Sequence, residues 1–178
     1  MPDFTETCVR RRELFRGSVI FRVDRIRLPN GRTAVREFMD HPGAVAAVPL
    51  LPGGRVVLVR QHRYAVGETI VEIPAGKLHR GEDRLSCVRR ELREETGYSA
   101  RSITKLLSYW PTPAFANEVI HIYVARGLKR GAMNLDADEF LEPFVVPFRR
   151  AVDWALNGRI RDSKTIIALL ACKARGLP

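Results

Sequence analysis

From Ser18 to Leu28 the chain reads SVIFRVDRIRL, apolar and polar side chains in alternation. A period of two marks a strand with one face buried. The turn Pro-Asn-Gly-Arg follows, and TAVREFMD then resumes the alternation. The first forty residues therefore predict an antiparallel β-hairpin region. Two strands alone are marginal in water, so this hairpin has to dock on something. AVAAVPL and RVVLVRQ are apolar throughout and are separated by Leu-Pro-Gly-Gly, which predicts two core strands joined by a tight turn. TIVEIPAG predicts a further strand, ended by Pro74 and Gly76.

Between Asp83 and Thr96 the period changes. Leu85, Val88 and Leu92 recur at i, i+3 and i+7, a stripe that predicts a helix held to the core by those three side chains. Gly97 supplies its left-handed cap. SITKLLSYW and EVIHIYVAR predict two strands around the loop PTPAFAN, and EPFVVPF a last short one. RRAVDWALNG predicts a helix closed by Gly158, and KTIIALLACKAR a final helix capped by Asp162 or Ser163. Many strands with a few helices out of strict alternation predict an α/β (α+β) fold, a mixed sheet flanked by helices.

Composition narrows this only a little. The 178 residues suffice for one domain with a real core, and 46% hydrophobic with 28% charged residues is ordinary for a soluble globular chain. No run of 18 apolar residues predicts a membrane span, and MPDFTETCVRRRELF has no apolar signal core, so a cytoplasmic protein is expected. Cys8, Cys87 and Cys172 are scattered and odd in number, which supports neither a disulfide framework nor a zinc site. His41, His62, His79 and His121 are equally scattered. The net charge of +10 raises the question of nucleic acid, but the excess is spread along the chain. Its densest block, Arg10 to Arg16, lacks an aromatic ladder; a phosphorylated small molecule fits the charge as well as a polyanion does.

The chemistry concentrates in RRELREETGY, Arg89 to Tyr98. Glu91 and Glu95 are four residues apart and share a helix face, with Glu94 beside them. Such like charges repel. A divalent cation would neutralise them, and carboxylate oxygens suit magnesium or manganese. The competing explanation is a solvated face paired with Arg89, Arg90 and Arg93, a common arrangement. Upstream, Glu82 is spaced for a loop-to-helix ion pair with Arg90.

The stretch GKLHRGEDRLSCVRRELREETGY, Gly76 to Tyr98, closely resembles the Nudix box: Gly, five residues, Glu, seven residues, then Arg-Glu-apolar-any-Glu-Glu-any-Gly-apolar. Gly76, Glu82, Arg90, Glu91, Leu92, Glu94, Glu95 and Gly97 match in residue and spacing, and Tyr98 fills the last apolar slot. The segments LPNGRTAVREFMDHPGAVAAVPL, VLVRQHRYAVGETIVEIPAGKL and IRDSKTIIALLA resemble the ADP-ribose pyrophosphatase branch, as does Pro113, sixteen residues after Gly97. Ala114 departs from the glycine that the branch often has there.

The resemblance implies a Nudix α/β/α sandwich in residues 41–178, preceded by a hairpin region, residues 1–40, that pairs two subunits into a homodimer. It implies divalent-metal-dependent hydrolysis of ADP-ribose, or of another nucleoside diphosphate sugar, with Mg2+ or Mn2+ held by Glu91, Glu95 and the Ala75 carbonyl. Glu94 would be a further ligand or orient one. Glu139, with Asp138 and Glu142 as neighbours in the acidic loop LDADEFLEP, is the expected general base. Arg36, Arg63 and Arg60 are the expected substrate contacts, and Glu72 is a weaker candidate. Gly76, Glu82, Arg90, Gly97 and Pro113 would shape the site. A GDP-sugar or NADH as substrate, a non-catalytic binding module and a nucleic-acid-binding protein are the alternatives.

Overall fold

The computed structural model describes residues 3–79 and 81–178. They fall into two compact units, one of Met1–Gly43 with Trp110–Val119, the other of Ala44–Tyr109 with Ile120–Pro178.

The first unit is built on the hairpin that the alternation predicts. Strand β3 (Ile20–Arg27) pairs antiparallel with β4 (Thr33–Asp40), in register from Ile20 opposite Asp40 to Arg27 opposite Thr33. The arginine block, which the sequence alone leaves without a structure, contributes two short strands, β1 (Thr7–Arg10) and β2 (Glu13–Arg16). Both pair with β3, each with a register shift. Asp24 is buried on β3 and receives Arg11 at 3.6 Å. Phe4, Val9, Leu14, Phe15, Phe21 and Val35 stay exposed, so this sheet presents apolar side chains to solvent.

The second unit has a seven-stranded mixed sheet at its centre. Its strands are β5 (Ala44–Leu51), β6 (Arg55–Arg63), β7 (Glu68–Glu72), β8 (Ala75–Lys77), β9 (Tyr98–Tyr109), β10 (Ile120–Arg130) and β11 (Leu141–Pro147). The order is β11-β6-β5-β10-β9, with β7 on β6 and β8 on β5; β5 and β10 run parallel. The helices are α1 (Arg84–Thr96), α2 (Phe148–Leu156) and α3 (Ser163–Ala174).

The apolar run of β5 explains the layering. A strand covered on both faces has no polar face to show. Ala44, Ala46, Val48 and Leu50 join a core with Ala151, Val152, Ala155, Ala168 and Leu169 of α2 and α3. Val45 and Ala47, pointing the other way, join Cys87, Val88 and Leu92 of α1. Alternate residues of one strand thus meet helices on opposite sides, which is the α/β/α sandwich.

Two expectations need correction. The stripe of α1 does not include Leu85, which is 43% exposed; Cys87 takes the buried place instead. The helix buries Cys87, Val88, Glu91, Leu92, Glu95 and Thr96, so the two carboxylates lie on the core-facing side together with the apolar residues. The three-residue spacing selects a stripe but not its centre, and here the stripe is rotated towards the glutamates. The second correction concerns Pro74 and Gly76. The strand ends at Glu72, and Gly76 sits inside β8, paired with Val45 of β5.

Candidate active site

Helix α1 starts at Asp83, whose side chain accepts from Ser86 N, and stops at Gly97, whose φ of 70° is left-handed. Glu91 and Glu95 project from it against β8. Ala75 N donates to Glu95 Oε2 at 3.0 Å. Gly76 gives Glu91 its room: a Cβ there would lie 1.9 Å from the Glu91 carboxyl carbon. The box glycine is therefore a cradle for a carboxylate, a need that spacing alone does not reveal.

Burial dominates the electrostatics of the pair. It pushes the Glu95 carboxyl up to about 8; the Ala75 N–H opposes this, the charges of Glu91 and Glu139 add to it, and Arg63 opposes it. Burial also raises Glu91, opposed by Arg90 and reinforced by Glu94 and Glu139. These are buried carboxylates without enough positive charge around them, a condition that a bound cation relieves. Two such oxygen donors fit a hard divalent ion. Among the described residues, no three His, Cys, Asp or Glu side chains form a ligand cluster. Glu91 and Glu95 are the side chains that would hold the ion, with the Ala75 carbonyl as the third donor that the resemblance implies.

Arg90 organises the outer side of the site. Its Nε donates to Glu82 Oε1 at 3.1 Å, and its Nη1 reaches Glu91 at 2.8 Å and Glu94 at 3.0 Å. Glu82 also accepts from His79 N at 3.0 Å, and these two partners hold its carboxyl down to about 2. The loop-to-helix ion pair expected from spacing is present, and one guanidinium serves three carboxylates.

The loop between β10 and β11 carries Asp138 and Glu139. It is pinned to the end of α1, where Gly131 N donates to Gly97 O at 2.6 Å and Asn134 N to Glu94 O at 3.2 Å. Glu139 is half-buried, and its charge is felt by both Glu91 and Glu95. Glu142 is paired with Arg60 at 2.7 Å, and Arg60 lies 4.1 Å from the centre of the Phe144 ring.

Of the expected substrate contacts, Arg63 belongs to the neighbourhood of the carboxylates. Its Nε and Nη2 donate to the two oxygens of Glu72 at 2.6 and 2.8 Å. Glu72 is 1% exposed. Burial works against its ionisation, but Arg63 and Lys164 outweigh that and hold its carboxyl below the usual range. Arg36 lies in the first unit, where its guanidinium pairs with Glu6. Pro113 and Ala114 line a cavity of about 370 Å³ in that same unit.

Lys164, Asp162 and Thr165 complete the surroundings of Glu72, and sequence reasoning assigned only Asp162, as a cap. Lys164 Nζ binds Glu72 Oε2, and also Asp162 Oδ1 at 3.0 Å. Asp162 Oδ2 accepts from Thr165 N at 2.9 Å, and Thr165 Oγ1 accepts from Ile73 N at 2.8 Å. The signal was present in the fully polar run Arg-Asp-Ser-Lys-Thr ahead of the apolar part of α3, but nothing local connects it to a residue 92 positions earlier.

The NUDIX domain family matches residues 40–169 of the chain. A methanol dehydrogenase activator of Bacillus methanolicus is 43% identical over 169 residues, 93% of this chain and 91% of that one. An ADP-ribose pyrophosphatase of Bacillus subtilis is 38% identical over 172 residues, 95% and 93% of the two chains. A GDP-mannose pyrophosphatase of Yersinia enterocolitica is 33% identical over 80% of each. The crystal structure of an ADP compounds hydrolase superposes with a TM-score of 0.82 over 96% of both chains, at 22% identity, a likeness of fold. With the box glycine cradling one glutamate and the neighbouring peptide N–H bound to the other, the chain belongs to the Nudix family of hydrolases, with ADP-ribose pyrophosphatases among its relatives.

Proposed function

We propose that the protein hydrolyses the diphosphate linkage of ADP-ribose to AMP and ribose 5-phosphate, with Mg2+ or Mn2+. The observation that carries this is the buried Glu91–Glu95 pair at the Ala75–Gly76 strand, short of compensating charge. The relatives named as ADP-ribose pyrophosphatases support the choice of substrate. When bound, the ion neutralises the linked phosphates and lowers the pKa of a water.

The rest falls to the chain's own side chains. Arg63, half-exposed and fixed by Glu72, presents its remaining N–H groups to phosphate oxygens. Arg60 is a further phosphate or ribose contact on substrate binding, once drawn from Glu142. Glu139 takes the proton from the attacking water. The water adds to one phosphorus and the bridging oxygen leaves with the other phosphate. Glu94 orients the Glu91 carboxylate through Arg90, and Glu82 anchors Arg90.

A panel of ADP-ribose, GDP-mannose, NADH and ADP-glucose with Mg2+, scored for phosphate-containing products, tests the reading. ADP-ribose should give the highest kcat/KM; a GDP-sugar in first place would move the protein towards its GDP-mannose pyrophosphatase relatives. Glu139→Gln should lower kcat by about a hundredfold and leave metal affinity unchanged. A silent Glu139→Gln beside an impaired Glu142→Gln would transfer the base to Glu142.

The exposed apolar side chains of the first unit support a second copy as their cover, so we also propose a homodimer formed through the hairpin region. Sedimentation at micromolar concentration should give a mass near twice 20.2 kDa, and Phe15→Glu with Phe21→Glu should return the monomer. A monomeric parent protein would refute the assembly. The chain is expected to act in the cytoplasm; among the described residues no helix is long and apolar enough to cross a membrane.

A further inference from the structure

Glu72 is the most buried carboxylate of the described residues, and two cations share it. Arg63 occupies both of its oxygens in parallel geometry, and Lys164 adds a third contact at Oε2. Lys164 is itself nearly enclosed, its side chain 12% exposed, while the Arg63 side chain is 41% exposed. The two cations thus differ in what they can meet. Arg63 is the more exposed of the two and feels the charges of Glu95 and Asp162; Lys164 Nζ is held between the carboxylates of Glu72 and Asp162. Asp162, the other partner of Lys164, is committed to the first turn of α3, where its Oδ2 accepts from Thr165 N and Oγ1.

A buried carboxylate with a single cationic partner draws on all of that partner's charge. With a second cation, part of the first remains available to another anion. We propose that Lys164 is a positioning residue for substrate binding: by sharing Glu72 it leaves Arg63 held in place yet electrostatically free to engage the phosphates of an anionic ligand. Without Lys164, Glu72 draws on Arg63 alone and the site loses one positive charge. The first turn of α3 reinforces the arrangement, because Thr165 holds Ile73 N one residue from Glu72.

The inference rests on the proposed reading of Arg63 as a phosphate contact, and two readouts keep the two apart. The first is KM and kcat for ADP-ribose with Mg2+; the second is the Kd for inorganic pyrophosphate with Mg2+, by calorimetry, which needs no turnover. In Lys164→Met, KM and the pyrophosphate Kd should each rise about tenfold while kcat stays within about threefold, and Lys164→Arg should restore both affinities to within about twofold. The double variant Glu72→Gln with Lys164→Met removes the uncompensated buried charge, so it folds even where the single variant does not. It keeps Arg63 as a free cation and should bind pyrophosphate more tightly than Lys164→Met; where the single variant does not fold, it should bind within about threefold of wild type. Wild-type protein that turns over no ADP-ribose but loses pyrophosphate affinity on Lys164→Met would end the substrate reading and uphold this one. A Lys164→Met protein with a lower Tm and unchanged KM and Kd, or a double variant that binds more weakly than these limits, would overturn it.

Discussion

Glu95→Gln should lower turnover by about two to three orders of magnitude and, in the absence of metal at neutral pH, make the protein more stable rather than less. The two effects have one cause. Glu95 is a buried carboxyl whose pKa burial pushes up to about 8, and Gln removes the charge while keeping an oxygen for the Ala75 N–H. Turnover falls because a donor of the size and place of Glu95 then meets a divalent cation without its negative charge. The stability sign follows from proton linkage. Between about 4.5 and about 8 the folded protein retains a proton on Glu95 that the unfolded chain has released, so unfolding releases a proton. Stability is therefore full below about 4.5 and declines as pH rises towards about 8. Thermal unfolding in a chelator at pH 5 and pH 8 should show this decline in the wild type and a flatter profile in Glu95→Gln. Saturating Mg2+ should reverse the decline in the wild type alone. Equal activity in the two proteins would remove Glu95 from the metal set.

Gly76→Ala should be the second large loss, and one in which stability and activity separate. The new methyl would overlap the Glu91 carboxyl carbon, at 1.9 Å, and its Oε1 at the same distance. What gives way is the end of a side chain rather than backbone, so Glu91 swings out and the fold survives. Activity should drop by about a hundredfold, with Tm changed by only a few degrees. The strain is specific to one pair, which a double-mutant cycle exposes. In a Glu91→Ala background the same glycine substitution should cost almost nothing further in activity or in Tm. An additive loss in the double mutant would mean that Gly76 is required for β8 itself and not for the carboxylate it faces.

The Nudix box was legible because its chemistry is local. Glu82, Arg90, Glu91, Glu94 and Glu95 lie within 14 residues, and a helix converts their spacing into proximity. The ion pair of Glu82 with Arg90 could be anticipated for that reason, and so could the hairpin of β3 and β4, whose turn and alternation sit side by side. Burial was not legible in the same way. Leu85 was expected in the core and is exposed, while Glu91 and Glu95 were expected on a separate charged face and are buried. A periodic pattern gives the spacing of a stripe; which way the stripe faces depends on what covers it. Here that is Gly76, which leaves space, and β5, which supplies Val45 and Ala47.

Charge partners at long range were the least legible. Arg63 is expected as a phosphate contact only through the family resemblance, and its grip on Glu72 and the addition of Lys164, 92 residues after Glu72, arise only where β6, β7 and the start of α3 meet. The amino-acid order alone determined the elements, the layering implied by an unbroken apolar β5 and the box carboxylates, because each follows from neighbours along the chain. Tertiary structure decided which carboxylates are buried, which cation each one shares and how much of Arg63 faces solvent, because burial and charge pairing are set by residues that only folding brings together.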